Sequence, residues 1–139
     1  MTTATDPFVG TWKLNTTRSE FDPNHRPSEA TMSWEREPDG HYLMQAAGID
    51  AKGEKVAERP QRFIPDDKGY PVPDFPGLTS VSTRPAPNTI RTDVQREDGS
   101  LAGQATFVVS DDGTTLAATN AGFDSQLREF RQYTVWDRL

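Results

Sequence analysis

The chain has 139 residues, of which 33% are apolar and 26% charged, and its formal net charge is -6. This length suits one domain, because a second domain would have too few residues for a core of its own. The negative charge repels phosphate backbones and anionic headgroups, so we expect no nucleic-acid partner. The chain has no apolar run long enough to cross a bilayer, and no cysteine for a disulfide or a thiolate-bound metal.

The N-terminal segment carries no sign of export. Residues 1–7 contain neither a basic stretch nor an apolar run, and a secretory signal would need both. We therefore expect a cytoplasmic protein without membrane insertion. Residues 1–7 are predicted to be an N-terminal tail, and residues 8–139 a single domain.

Short extended runs separated by turn signals follow one another along the chain. Gly, Asp, Asn and Pro recur about every dozen residues, as in an antiparallel meander. Within several runs apolar and polar residues alternate, so that Met32 and Trp34 are interleaved with Thr31 and Ser33. The pattern predicts nine or ten strands, at residues 8–14, 30–37, 41–49, 54–64, near 70–72, 78–84, 89–97, 101–110, 114–121 and 127–138.

A sheet of so many consecutive hairpins would be expected to close on itself. Left open, it would expose two long unpaired edges, and closure removes both. Most of the buried area must come from three Trp, seven Phe and three Tyr, which suits a barrel with a partly polar interior. The predicted fold class is all-β, with a single antiparallel up-and-down β-barrel.

Two segments depart from the strand pattern. Residues 16–21 have helical character and precede Asp22 and Pro23, so we expect at most a short helical turn after the first strand. Six of the eleven prolines lie between Pro65 and Pro87, where missing N–H donors exclude a regular central strand. Residues 70–77 are therefore predicted to form a stiff loop at the barrel mouth.

Both ends of the chain resemble the fatty-acid-binding proteins. The segment DPFVGTWKL at residues 6–14 is similar to their first strand, and its Gly10-Thr11-Trp12 core resembles the lipocalin motif whose tryptophan plugs the barrel base. Near the C-terminus, Arg131-Gln132-Tyr133 resembles an Arg-x-Tyr pair whose side chains point inward and hold the ligand carboxylate. The family's Phe-Asp after the first strand is matched one position late, at residues 21–22, and the chain has no room for the family's two-helix lid.

A second resemblance covers most of the chain. Bacterial lipocalin-like proteins of the calycin type, a family of unassigned function, share a WKLN start followed by Ser and Phe, a central Tyr-Pro-Val and a late VS-DG-TL hairpin. The matching segments here are residues 12–15 with Ser19 and Phe21, residues 70–72, and residues 109–116. The resemblance implies a lipocalin-like barrel and carries almost no function.

Gly10 and Trp12 are predicted to form a structural plug at the barrel base. The indole of Trp12 would pack under a late-strand residue, either Arg128 or Arg138, through a cation–π contact. This assignment makes Trp12 a structural residue and not a ligand contact.

The last predicted strand can turn either face to the interior. Arg131 and Tyr133 share one face by the period of two, so both point inward or neither does. An inward Arg131 would need an anionic partner such as a ligand carboxylate, because an unpaired buried charge is costly. In the alternative, this face is solvated and the interior receives Phe130, Thr134 and Trp136.

The other candidate ligand contacts are large apolar side chains and one cation. Arg62 would be a second internal cation, or else it would extend along the outer face. The apolar residues would wall a pocket or simply fill the core. They are Met32, Trp34, Tyr42, Met44 and Phe107.

We expect no metal and no cofactor. His25 and His41 lie far apart in the chain, and the acidic pairs at residues 66–67 and 111–112 have the sequence of turns. The chain also lacks a glycine-rich phosphate loop and any standard catalytic motif.

These features favour a protein that binds or carries a small hydrophobic or amphipathic ligand, including one that bears a carboxylate. The alternative is a small barrel enzyme of the isomerase, cyclase or hydratase type, in which Tyr42, Tyr133, Glu35 or His41 moves a proton. A third alternative is a filled barrel that acts through its outer surface.

Overall fold

The structure, a computed structural model, describes residues 6–21, 28–50, 52–57, 60–73, 75–123 and 129–139. Within these ranges there are eleven strands and no helix. The strands are β1 (Gly10–Glu20), β2 (Glu29–Arg36), β3 (Tyr42–Ile49), β4 (Lys55–Ala57), β5 (Gln61–Phe63), β6 (Gly69–Pro71), β7 (Thr79–Ala86), β8 (Thr89–Gln95), β9 (Leu101–Val109), β10 (Thr115–Phe123) and β11 (Glu129–Arg138).

All strands belong to one antiparallel sheet of up-and-down topology. Its order is β4-β3-β2-β1-β11-β10-β9-β8-β7-β6, and β5 pairs with β3 beside β4. Among the described residues the two edges are not hydrogen bonded to each other, yet the sheet curls until opposite walls touch. The ring of Trp34 on β2 lies 5.1 Å from that of Phe107 on β9. The predicted all-β barrel class is confirmed.

The turns between strands depend on aspartates followed by glycine. In three hairpins the aspartate side chain accepts a hydrogen bond from the backbone N–H two residues later, and the glycine between them has a positive φ. The three turns contain Asp39-Gly40, Asp98-Gly99 and Asp112-Gly113. The turn signals in the sequence therefore mark real chain reversals.

Residues 16–20, where at most a short helical turn was expected, form no helix and continue the first strand. β1 runs to Glu20 and bulges between Asn15 and Glu20. The Asn15 side chain accepts a hydrogen bond from the N–H of Arg18, and the Ser19 hydroxyl donates to the Asn15 carbonyl. These local bonds let the chain loop out and return to pair Glu20 with Tyr133.

The middle of the chain holds shorter strands than predicted. The run at residues 54–64 contains two three-residue strands, β4 and β5, which pair with different parts of β3. The proline-rich segment begins in β6, where Pro71 is tolerated because β6 is an edge strand. After it, the Val72 N–H donates to the Leu78 carbonyl and closes the loop.

One end of the barrel is closed by a plug around Trp12, and we call it the sealed end. Trp12 is fully buried, and its indole N–H donates to the Phe8 carbonyl at 3.1 Å. The guanidinium of Arg138 lies 4.2 Å from the Trp12 ring centroid. Arg138 is thus one of the two cation–π partners that the sequence predicts for Trp12, and the other candidate, Arg128, lies outside the described residues.

Arg138 also ties the N-terminal segment to the barrel. It donates to the backbone carbonyls of Pro7, Val9 and Gly113 at 2.6 to 2.8 Å. Asp6 and Pro7, which were predicted to belong to the tail, therefore pack against the barrel. Residues 1–5 of the predicted tail lie outside the described residues.

Gly10 is needed at the sealed end for two physical reasons. Its φ of 142° lies in a region that residues with a side chain rarely adopt. A Cβ at this position would also stand 2.5 Å from Nη1 of Arg138. The Gly-x-Trp motif thus leaves space for the cation that covers the tryptophan.

The substitution Gly10→Ala tests this role. We expect it to lower the free energy of unfolding by about 3 kcal/mol, because it adds backbone strain and displaces Arg138 from its carbonyls. Gly99→Ala is the matched control, since Gly99 also has a positive φ but no atom within 4 Å of an added Cβ. The control should lose only about 1 kcal/mol. Equal losses in urea unfolding would contradict a special role for Gly10.

Candidate ligand-binding interior

The strand register defines an inner and an outer face of the sheet. Directly paired residues share a face, and Trp12 is paired with Arg138 and Leu14 with Trp136. Buried Met32 is paired with Trp12 on the other side of β1. We call the face that carries these residues the inner face, and the opposite one the outer face.

The lower half of the interior, nearest the sealed end, is packed with aromatic rings. Trp34 lies 5.1 Å from Phe8, 5.8 Å from Tyr42 and 5.6 Å from Phe63, between ring centroids. The five apolar residues singled out in the sequence all belong to this buried core. They are Met32, Trp34, Tyr42, Met44 and Phe107. They fill the lower interior, so only the upper surface of this cluster can serve as the floor of a cavity.

Tyr42 belongs to a charged network at the sealed end. Its hydroxyl donates to the Asp6 carboxylate and accepts a hydrogen bond from Nη1 of Arg84 at 2.7 Å. Arg36 donates to the same carboxylate at 2.9 Å. Burial, followed by the hydrogen bond to Asp6, raises the pKa of Tyr42 to about 12. Tyr42 is therefore held as a neutral structural donor.

Alkaline unfolding tests this network. The pKa of Tyr42 is about 10 in the unfolded chain and about 12 in the folded protein. Its contribution to the free energy of unfolding is therefore complete below pH 10 and is lost as the pH rises to 12. Tyr42→Phe lacks this group, so its unfolding free energy should fall about 2 to 3 kcal/mol less over the interval than that of the wild type. Parallel curves for the two proteins in urea unfolding would contradict the assignment.

Above the aromatic core, the inner face becomes polar and open. Register places five residues in one line across β7 to β11. They are Ser82, Thr92, Ala105, Asn120 and Gln132. We call this line the polar row. All but Ser82 are partly exposed, whereas the line below them, Ile90, Phe107, Ala118 and Thr134, is buried. Solvent therefore reaches the inner face down to the level of the polar row.

Small residues lie on four strands of the upper inner face. The next line towards the mouth contains Ser80, Val94, Gly103 and Gly122 on β7 to β10, and it continues to Tyr70 on β6 and Phe130 on β11. On the opposite wall, Gly48 lies beside Ala30 on β2. A Cβ on Gly48 would meet the Glu29 carbonyl oxygen at 2.2 Å, so β2 and β3 approach closely only because this residue is glycine.

Two buried polar atoms on the inner face have no hydrogen-bond partner among the described residues. They are Nε1 of Trp34, a donor, and Oε1 of Gln132, an acceptor. Buried polar atoms are nearly always paired in folded proteins. Among the described residues, the side-chain hydrogen bond within the polar row joins the hydroxyls of Ser82 and Thr92 at 2.8 Å.

The inner-face cations on the described strands lie at the sealed end and are already engaged. Arg36 binds Asp6, Arg84 donates to Tyr42 and to the Pro87 carbonyl, and Arg138 donates to backbone carbonyls. The polar row itself carries no formal charge.

The prediction that Arg131 and Tyr133 point into the barrel is wrong. β11 alternates regularly along its pairing with β10, and the buried Thr134 and Trp136 lie on the inner face. Arg131 is exposed, and Tyr133 is 40% exposed on the outer face. The bulge adds its extra residues on β1 alone, and the pairing of β11 with β10 has no shift. The side chains of β11 therefore alternate between the two faces along the whole strand.

The prediction of Arg62 as an internal cation is also wrong. Arg62 is paired with Leu43, on the face opposite Tyr42. Its guanidinium donates to Glu37 at 2.8 Å and to Asp39 at 3.1 Å on the surface. The Arg62 hydrogen bond lowers the pKa of the Glu37 carboxyl, which matches an ordinary surface ion pair.

The candidate proton-transfer groups do not converge on one site. Tyr42 is locked at the sealed end and Tyr133 lies outside. Glu35 is exposed on β2, and His41 follows a turn, 3.0 Å from Asp39. The described residues contain no group of side chains suited to hold a metal ion.

Two open grooves lie on the surface. One, of about 440 Å³, is lined largely by outer-face residues of β1 to β4, among them Lys13, Thr31 and Ala47. The other, of about 510 Å³, separates the loop at Gly77 from the hairpin at Asp98. Neither includes a residue of the polar row.

Sequence reasoning missed the polar row. Asn120, Thr92 and Ser82 are ordinary strand residues, and nothing in their spacing indicates that they align. Gln132 could have been found, because it shares the period of two with Thr134 and Trp136, which were named as the alternative inward face.

No family model matches the chain, and no curated protein is similar to it in sequence. Solved structures do match over nearly its whole length. The fluorescent protein UnaG is 12% identical with a TM-score of 0.60, covering 95% of this chain and 97% of its own. Zebrafish ileal bile acid-binding protein complexed with cholic acid is 9% identical with a TM-score of 0.59, covering 96% and 99%. As-p18, an extracellular fatty acid binding protein, is 11% identical with a TM-score of 0.52, covering 96% and 97%.

Likeness at this level of identity establishes the fold alone. The resemblance to fatty-acid-binding proteins is thereby confirmed as a shared barrel architecture. No helix in the described part of the chain is long and apolar enough to span a membrane.

Proposed function

We propose that this protein binds a small hydrophobic or amphipathic molecule in the upper half of its barrel. One observation supports this proposal above the others. The inner face changes from a buried aromatic core near the sealed end to the partly exposed polar row above it. A cavity with an apolar floor and a few polar groups on its wall is the usual form of a small-ligand site.

The fold supports the same proposal. Two of the similar structures are named for bile acid and fatty acid binding, and one contains cholic acid. Ala46 is apolar and partly exposed on the opposite wall, and the buried Met32 and Met44 lie in the floor, so this side suits the body of such a ligand. The cytoplasmic location and the bacterial source stay predictions from the sequence.

Blocking the cavity tests the proposal. Ala105 lies partly exposed in the middle of the polar row, so Ala105→Trp would place a large ring where the ligand binds. We expect this variant to bind the uncharged fluorescent dye Nile red at least about 10-fold more weakly than the wild type.

Ala47→Trp is the matched control, because Ala47 is exposed and lines the outer groove. It should leave the dye affinity unchanged. Circular dichroism melting would check that both variants fold. Loss of binding in Ala47→Trp with normal binding in Ala105→Trp would assign the ligand to the outer groove and refute the proposal.

The outer-face position of Arg131 and Tyr133 gives a further prediction. The double variant Arg131→Ala, Tyr133→Phe should bind Nile red and dodecanoate with the wild-type affinity, measured by fluorescence titration. Loss of dodecanoate binding alone would place these side chains at the ligand, contrary to their exposure.

A further inference from the structure

We infer that the ligand of this interior is an uncharged apolar molecule whose hydroxyl or N–H group donates a hydrogen bond to the side-chain oxygen of Gln132. The inference rests on the proposed function and deepens it, because it names the chemical class of the ligand. The inferred uncharged ligand differs from the carboxylate-bearing ligand that the Arg-x-Tyr resemblance implies.

The first argument is the state of the Gln132 amide. Gln132 lies on the inner face of β11, one step above buried Thr134 and directly opposite Asn120 of β10. Gln132 itself is partly exposed, while its Oε1 is buried and has no partner among the described residues. An acceptor left unpaired in such a place destabilises the protein, so a donor from a bound molecule would be stabilising there.

The second argument is the charge of the interior. Where strand register assigns described residues to the inner face, the cations are Arg36, Arg84 and Arg138, and each is engaged at the sealed end. A carboxylate held against Gln132 would lose part of its hydration without gaining a counter-charge, which is costly. It would also present only acceptors to the unpaired oxygen of Gln132.

The third argument is the kind of hydrogen-bonding groups that surround Gln132. The polar row offers neutral hydroxyl and amide groups on one wall, and the facing wall is apolar. Trp34, in the core below, adds a buried donor without a partner. A hydroxyl group can both donate and accept, so it suits this set of neutral groups better than an anion does.

The test compares three ligands with the same alkyl chain: dodecan-1-ol, its methyl ether 1-methoxydodecane, and dodecanoate. Each is titrated against the Nile red complex of the intact protein. We expect the alcohol to bind about 10-fold more tightly than the ether and than dodecanoate, because only the alcohol supplies a donor without a charge.

Substitution of the glutamine adds a second readout. Gln132→Leu keeps the size of the side chain and removes its acceptor, so it should weaken alcohol binding about 10-fold and leave ether binding nearly unchanged. Gln45→Leu is the matched control, since Gln45 is exposed and paired with outer-face Ser33. If Gln132→Leu fails to fold, Gln132→Met makes the same comparison. The comparison of the three ligands on the wild-type protein tests the inference even if neither variant folds.

The possible outcomes separate the two proposals. Dodecanoate binding as tightly as the alcohol, or equal loss of alcohol and ether binding in Gln132→Leu, would overturn this inference. If Ala105→Trp still blocks all three ligands, the proposed function survives that result. If none of the ligands displaces the dye and Ala105→Trp changes nothing, both fail.

Discussion

The guanidinium of Arg138 holds the two ends of the chain together at the sealed end. It covers the Trp12 ring, donates to backbone carbonyls of the N-terminal segment and occupies the space that Gly10 leaves open. Because Trp12 is paired with Arg138, this contact fixes the register between β1 and β11. That register determines which side chains of the last strand face inward, and so the chemistry of the interior depends on it.

The interior is divided along the barrel axis. Near the sealed end, aromatic rings from distant strands pack against one another, and an arginine lies over each of Phe8, Tyr42 and Trp12. Towards the mouth, the rings give way to small residues and the neutral polar row. On the described strands, the inner-face arginines lie at the end where Asp6 and backbone carbonyls satisfy them.

The two wrong cation predictions have a common cause. Arg131 resembles a ligand-binding arginine by sequence, and Arg62 stands beside Phe63, but the inward direction of each depends on strand pairing. Arg131 is one residue out of phase with Trp136, and Arg62 is paired with outer-face Leu43. A shift of one residue moves a side chain to the other face, so a motif at a strand predicts a function only when its phase is known.

The sequence by itself determined the fold class, the turns and the plug. Alternation and Asp-Gly turns are local properties, and Gly10 with Trp12 is a local motif, so each acts through neighbouring atoms. It did not determine the bulge after Asn15 or the division of residues 54–64 into two strands, because these depend on partners far along the chain. Only the tertiary structure placed Ser82, Thr92, Asn120 and Gln132 in one row. These residues come from four strands, and the register of four successive strand pairings, through β9, is what brings them together.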